Sequence, residues 1–125
     1  MAVDDDEMIL SLVEAVVADQ DGIFIGANSG EECLALLESH KPRLILLDVG
    51  MANMNGVETL KKIRERYPKL NSKVAFLTAH KSLKLIDQSR ELGADGFILK
   101  PTSPTRLRQR IDEILSNDGP DLITA

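Results

Sequence analysis

Asp48 follows an apolar run, Leu44, Ile45, Leu46 and Leu47, and precedes a loop of small residues (Met51, Ala52, Asn53, Met54, Asn55) that closes at Gly56. A carboxylate beside a run that belongs in a core needs a chemical reason to be there. Asp4 and Asp5 come directly after residues 1–3, Thr78 after residues 74–77, and Lys100 after residues 97–99. Each falls at the end of a short apolar stretch of strand character. In a parallel sheet the carboxyl ends of the strands share one rim, and ligands bind there. Carboxylates gathered at such a rim repel and raise one another's pKa unless a cation sits among them. Hard oxygen ligands at a phosphate site favour Mg2+. A Mg2+ ion and the Lys100 ammonium would neutralise the oxygens of a transferring phosphoryl group. Asp48, ionised and fixed, can attack phosphorus in line to give an aspartyl phosphate. The Thr78 hydroxyl can donate to a phosphoryl oxygen, and the small Ala79 leaves room for a large donor.

These residues need a scaffold, and the chain is long enough for one. Its 125 residues suffice for one domain with one core. Hydrophobic residues make up 43% and charged residues 28%, a globular composition. The net charge of -5 argues against a direct nucleic-acid or anionic-membrane surface. Aromatic residues are 3% with no Trp, which leaves no stacking platform for bases. No apolar run approaches the roughly 20 residues needed to span a bilayer. The start, MAVDDDE, is acidic where a signal peptide is basic. Cys33 is the single cysteine, so no internal disulfide can form. A soluble, reduced, cytoplasmic protein is expected.

Strand and helix patterns alternate along the chain. Residues 1–3 allow only a very short first strand. Met8, Ile9, Leu12, Val13, Val16 and Val17 then recur at helical spacing, and that helix should end between residues 19 and 22. Residues 23–27 (IFIGA) read as a strand, and Gly26 suits an edge position. Ser29 with Glu32 forms a capping-box signature for a helix that turns Cys33, Leu34 and Leu37 inward. After the strand at residues 44–47, Asn55 with Glu58 caps a helix carrying Val57, Leu60, Ile63 and Tyr67, which Pro68 stops. Residues 74–77 form the next strand. Ser82 is the expected N-cap of a helix over residues 83–92, and Gly93 its left-handed C-terminal residue. A strand at residues 97–99 leads to Ser103 and Pro104, an N-cap followed by proline at the first helical position. Leu107, Ile111, Ile114 and Leu115 form the face of the last helix. Five strands alternating with five helices imply an α/β fold with a parallel sheet covered on both faces.

The segments VDDDE (residues 3–7), LILLDVGMANMNG (44–56), FLTAH (76–80) and GADGFILKP (93–101) together resemble the receiver domain of two-component response regulators. The likeness runs over residues 1–117, with residues 118–125 left as a C-terminal tail. It implies a three-layer, flavodoxin-like (βα)5 fold with strand order 2-1-3-4-5. It implies that Asp48 is the phosphoacceptor, that Asp5 and the Gly50 carbonyl ligate Mg2+ directly, and that Asp4 holds metal-bound water. Thr78 becomes the switch hydroxyl, Lys100 the phosphate-facing lysine and Phe97 the switch aromatic. Gly50 and His80 occupy positions that tune phosphate lifetime in relatives. The Lys100–Pro101 bond resembles one that is cis in the family. A histidine kinase or phosphotransfer protein is the implied donor. A downstream target, or a second copy in a homodimer, is implied on the face of the fourth helix, fifth strand and fifth helix, where Arg106, Arg108 and Arg110 make a locally basic patch.

Departures are visible as well. Ala52 stands where the family usually has proline, and the first strand is shorter than usual. A stub at the centre of a sheet would leave neighbouring backbone groups partly unpaired. Rival readings fit less well. A phosphatase of the haloacid dehalogenase class wants a second aspartate where Gly50 stands. A nucleotide-binding fold wants GxxxxGK or GxGxxG after a strand, and neither is present. A flavin carrier wants aromatic stacking. A receiver-like interaction module that is never phosphorylated remains as the alternative, and the full set of acids argues against it. The remaining singular residues read as structural: Cys33 as inert core, His40 as a helix-end surface residue, and Met51 and Met54 as loop packing.

Overall fold

A chain that alternates short apolar runs with amphipathic helices must bury both faces of its sheet. The computed structural model describes residues 1–79, 83–100 and 102–116, and does so with β1 Ala2–Val3, α1 Glu7–Asp19, β2 Gly26–Ala27, α2 Gly30–Leu36, β3 Leu44–Asp48, α3 Gly56–Arg66, β4 Lys73–Thr78, α4 Leu83–Glu91, β5 Gly96–Leu99 and α5 Pro104–Ser116. The five strands form one parallel sheet in the order β2-β1-β3-β4-β5, the flavodoxin-like order expected from the sequence.

Strand alternation divides the core in two. Val3, Ile45, Leu47, Val74, Phe76 and Phe97 face one side, where Cys33, Leu34 and Leu37 of the α2 segment and Leu60 and Ile63 of α3 cover them. Ala2, Leu44, Leu46, Ala75, Leu77 and Ile98 face the other, against Val13 and Val16 of α1 and Leu107, Ile111 and Ile114 of α5. β3 is buried along its whole length, which explains its unbroken apolar run.

The caps hold the helices in register with the rim. Asn55 and Glu58 form the expected reciprocal box at the start of α3. Ser29 accepts from the Glu32 amide, but the Glu32 carboxylate returns to the Asn28 amide, one residue before the cap. Ser103 accepts from the Arg106 amide ahead of α5. Gly93, at φ +74°, takes the left-handed conformation expected after α4. The expected N-cap Ser82, the Lys100–Pro101 bond and the tail lie outside the described residues.

Two strand expectations need adjustment. The strand read over residues 23–27 is confined to Gly26–Ala27, and Ile23 is 90% exposed. Among the described residues its partner is β1, itself two residues long, and the register covers only Gly26 and Ala27. The β1 stub is supported by its own end: the Met1 ammonium donates to the Leu44 carbonyl at 2.8 Å, and the Met1 carbonyl accepts from Leu46 at 2.9 Å. Burial pushes the pKa of that ammonium down to about 6, with the Cys33 charge acting the other way.

Candidate functional site

The acidic triplet at the end of β1 is divided among three tasks. The Asp4 amide donates to the Ala27 carbonyl of β2 at 3.0 Å, which fixes the residue at the rim, and its side chain is fully buried. Asp4 Oδ1 accepts from the Asp6 amide at 2.9 Å, and Oδ2 accepts from Lys100 Nζ at 2.7 Å. Asp5 is exposed at the same rim. Asp6 turns away and caps α1, accepting from the Met8 amide at 2.9 Å. That cap was missed in the sequence reading, although an aspartate just before a helical apolar pattern is its usual signal.

Asp48 is the last residue of β3 and is buried. Its Oδ1 accepts from Lys100 Nζ at 3.1 Å and from the Gly50 amide at 3.2 Å. Carboxylate oxygens of Asp4, Asp5 and Asp48 lie within 4.8 Å of one another. The loop that follows turns through Asn53 in the left-handed region, at φ 64°, a conformation asparagine tolerates. It closes at Gly56, where a Cβ would stand 2.5 Å from the Asp48 carbonyl oxygen. Only glycine lets α3 start this close to the Asp48 backbone. Met51 is buried in the core beneath the loop and Met54 packs against it, the structural role expected of both.

Thr78 lies one residue beyond Leu77, the register partner of Asp48, and so stands on the neighbouring strand end. It is buried, and its carbonyl accepts from the Lys100 amide at 2.8 Å, tying the ends of β4 and β5 together. Gly50 and Ala79 are exposed, and a Cβ at Gly50 would meet nothing within 4 Å. Among the described residues the rim is therefore open beside Gly50 and Ala79. His80 lies outside the described residues.

Phe97 is buried in the core against Phe76, with ring centroids 5.9 Å apart and planes tilted by 35°.

The electrostatics follow from burial. Burial pushes the Asp4 carboxyl above the usual carboxylate range; the hydrogen bond from Lys100 pulls part of that back, and the Asp48 charge adds to it. Burial works against the Lys100 ammonium too, but its hydrogen bonds to Asp4 and Asp48 outweigh this and hold its pKa above the ordinary lysine value. One internal cation thus serves two buried acids, while Asp5 adds a third carboxylate. This set fits a hard divalent ion: clustered oxygens, incomplete charge balance and an open side. Asp4, Asp5, Asp48 and the Gly50 carbonyl are the groups that would hold it.

Cys33 is buried, and burial pushes its thiol up to about 12, which removes thiolate chemistry at ordinary pH. His40 sits exposed past α2 with Nδ1 2.9 Å from the Leu36 carbonyl. Among the described residues no helix is long and apolar enough to cross a membrane.

Comparison with known proteins agrees with this geometry. The model of the response regulator receiver domain matches residues 1–112. The chain is 36% identical over 115 residues to the alkaline phosphatase synthesis transcriptional regulatory protein PhoP of Bacillus subtilis (strain 168), covering 92% of this chain and 47% of that protein. It is 38% identical over 116 residues to the transcriptional regulatory protein CpxR of Klebsiella pneumoniae, covering 92% and 48%. The chain spans about half the length of the curated relatives it matches. Among solved structures, chemotaxis protein CheY4 of Vibrio cholerae superposes with a TM-score of 0.84 at 27% identity, over 90% of this chain and 94% of that one. A CheY-like receiver domain protein of Methanospirillum hungatei JF-1 gives 0.81 at 32% identity, over 91% and 90%.

Proposed function

Because the chain belongs to the response regulator receiver domain family, we propose that it is the phosphoacceptor switch of a two-component phosphorelay, taking a phosphoryl group onto Asp48 from a histidine kinase or phosphotransfer protein. The observation that carries the reading is the convergence of Asp4, Asp5, Asp48 and Lys100, from three strand ends, on one open rim.

Both hydrogen bonds described for Asp48 fall on Oδ1, which leaves Oδ2 to attack. The Oδ2–P bond forms as the N–P bond of a donor phosphohistidine breaks, and the released imidazole takes a proton from solvent. Bound Mg2+ would supply positive charge to the carboxylates and the phosphoryl oxygens. Lys100 turns from Oδ1 to a phosphoryl oxygen, a short move for an ammonium already 3.1 Å from the nucleophile. The Thr78 hydroxyl donates to another, and its displacement shifts Phe97 on the adjoining strand. The output is a change in a two-state surface. The α4-β5-α5 face is where a target, or a second copy, would read it: Leu99 is 51% exposed there, and Arg106 and Arg108 are exposed on α5. The acidic net charge supports protein partners rather than direct nucleic-acid contact, in a cytoplasmic setting. The chain is a regulator with weak self-catalysed phosphorylation and dephosphorylation, not a turnover enzyme.

The test is incubation with acetyl phosphate or phosphoramidate and Mg2+. The parent chain takes up one phosphoryl group, and Asp48→Asn takes up none. Equal labelling of the variant overturns the assignment. No labelling of either, with partner binding intact, favours an interaction module that is never phosphorylated.

A further inference from the structure

Arg110 lies in the middle of α5, yet its side chain is only 11% exposed. Its Nη2 donates to the Phe97 carbonyl at 2.7 Å, and its Nη1 donates to Glu113 Oε2 at 2.6 Å. Glu113 is 48% exposed, and an ion pair of that kind contributes little by itself. The bond to Phe97 is the one that gives the guanidinium a reason to be covered. β5 is an edge strand with β4 as its sole neighbour in the sheet. Phe97 is consequently held from two sides. Its ring packs on Phe76 in the core half covered by α2 and α3, while its carbonyl is gripped by α5, which covers the opposite half.

We propose that Arg110 is a positioning residue that couples β5 to α5, so that a displacement of Phe97 on phosphorylation is passed to the last helix. The relay rests on the functional reading above. The guanidinium is planar and presents its donors in a fixed fork. With its side chain largely covered, Arg110 has little room to follow a moving carbonyl by bond rotation alone. The helix moves with it, or the bond breaks. A lysine has a single rotatable ammonium and transmits less.

The test is backbone amide and carbonyl NMR on the full chain and on Arg110→Ala and Arg110→Lys, each with Mg2+ alone and with Mg2+ and beryllofluoride, which stands in for the phosphoryl group. In the parent chain beryllofluoride shifts Thr78, Phe97 and the α5 amides from Leu107 to Ile114. In Arg110→Ala the Thr78 and Phe97 shifts persist and the α5 shifts are lost; in Arg110→Lys the α5 shifts are partly restored. A merely structural arginine would alter the melting temperature without separating these two sets of signals. Full α5 shifts in Arg110→Ala overturn the coupling alone. A parent chain in which neither Asp48 nor Thr78 responds overturns the functional reading and the relay with it. Should Arg110→Ala fail to fold, Arg110→Lys carries the same comparison, and α5 shifts equal to those of the parent overturn the coupling.

Discussion

Lys100 Nζ and Asp4 Oδ2 stand 2.7 Å apart across a sequence separation of 96 residues. The same nitrogen is 3.1 Å from Asp48, so one ammonium bridges two carboxylates that would otherwise face each other in a covered site. Lys100 therefore occupies, as a tethered charge, part of the role a divalent ion would fill.

Replacing Lys100 with alanine should destabilise the chain by about 2 kcal/mol without divalent ions, because two covered acids lose their cation. Mg2+ should restore much of that loss and bind more tightly than to the parent, its tethered competitor being gone. Labelling of Asp48 should nonetheless fall by roughly tenfold or more, since the ion cannot replace the donor to the phosphoryl oxygen. Thermal denaturation with and without Mg2+, alongside phosphodonor labelling, checks all three. Weaker Mg2+ binding by the variant would contradict the competition.

The raised pKa of Asp4 sets the sign of a pH effect. A group whose folded pKa lies above its unfolded value stabilises most below the unfolded pKa of about 3.8, and that contribution is lost as pH rises through the folded value. The ionised form is thus a burden at neutral pH. Asp4→Asn should be more stable than the parent at pH 7, a difference that shrinks as the solution is acidified through the raised pKa. The same variant should lose most of the stabilisation that Mg2+ gives. Urea denaturation at several pH values reads the difference directly; a gap that widens towards acid would reverse the sign argued here.

Gly56 should not tolerate even a methyl group. A Cβ there would meet the Asp48 carbonyl oxygen at 2.5 Å and the Val49 Cα at 3.1 Å, both backbone atoms that cannot rotate aside. Gly56→Ala should cost about 2 kcal/mol and slow phosphoryl acceptance by moving Asp48. Gly50→Ala, facing open space, is the control and should leave stability within about 0.5 kcal/mol of the parent. Equal melting temperatures for the two variants would show that the contact relaxes without consequence.

Arg64 of α3 donates from Nε to the Leu92 carbonyl at 3.0 Å and from Nη2 to the Gly93 carbonyl at 3.1 Å. It closes the C-terminal end of α4 from a neighbouring helix, where carbonyls lack partners of their own. Arg64→Ala should lower stability by about 1–2 kcal/mol and accelerate hydrogen exchange in α4, with Asp48 labelling retained. Loss of labelling at a temperature where the variant is folded would mean that Arg64 also acts on the site.

The sheet and the acids were legible because both depend on short-range pattern. Residues 44–47 announce a strand buried on both faces followed by a carboxylate, and Asp48 stands as the last residue of β3. Asn55 with Glu58, and Gly93, were equally readable, since caps are local chemistry. Residues 23–27 were overread: their apolar character was real, but the length of a strand depends on its partner, and β1 offers two residues. The contacts of Arg64 and Arg110 were not legible, for a related reason. Their acceptors are backbone carbonyls of distant segments, and nothing in a side-chain sequence marks a carbonyl as waiting for a donor. The state of Phe97 was not readable either, because whether a ring starts inside or outside is decided by the packing of Phe76 beside it.

β1, an interior strand of the sheet, is only two residues long. Its two residues pair with β2 on one side and β3 on the other, and Asp4 and Asp5 hang directly from its end. Fraying that would be harmless at a sheet margin would here loosen the carboxylates themselves. A ligand that gathered Asp4, Asp5 and Asp48 would tighten this short ladder as it bound, so that binding at the rim and pairing within the sheet would support each other.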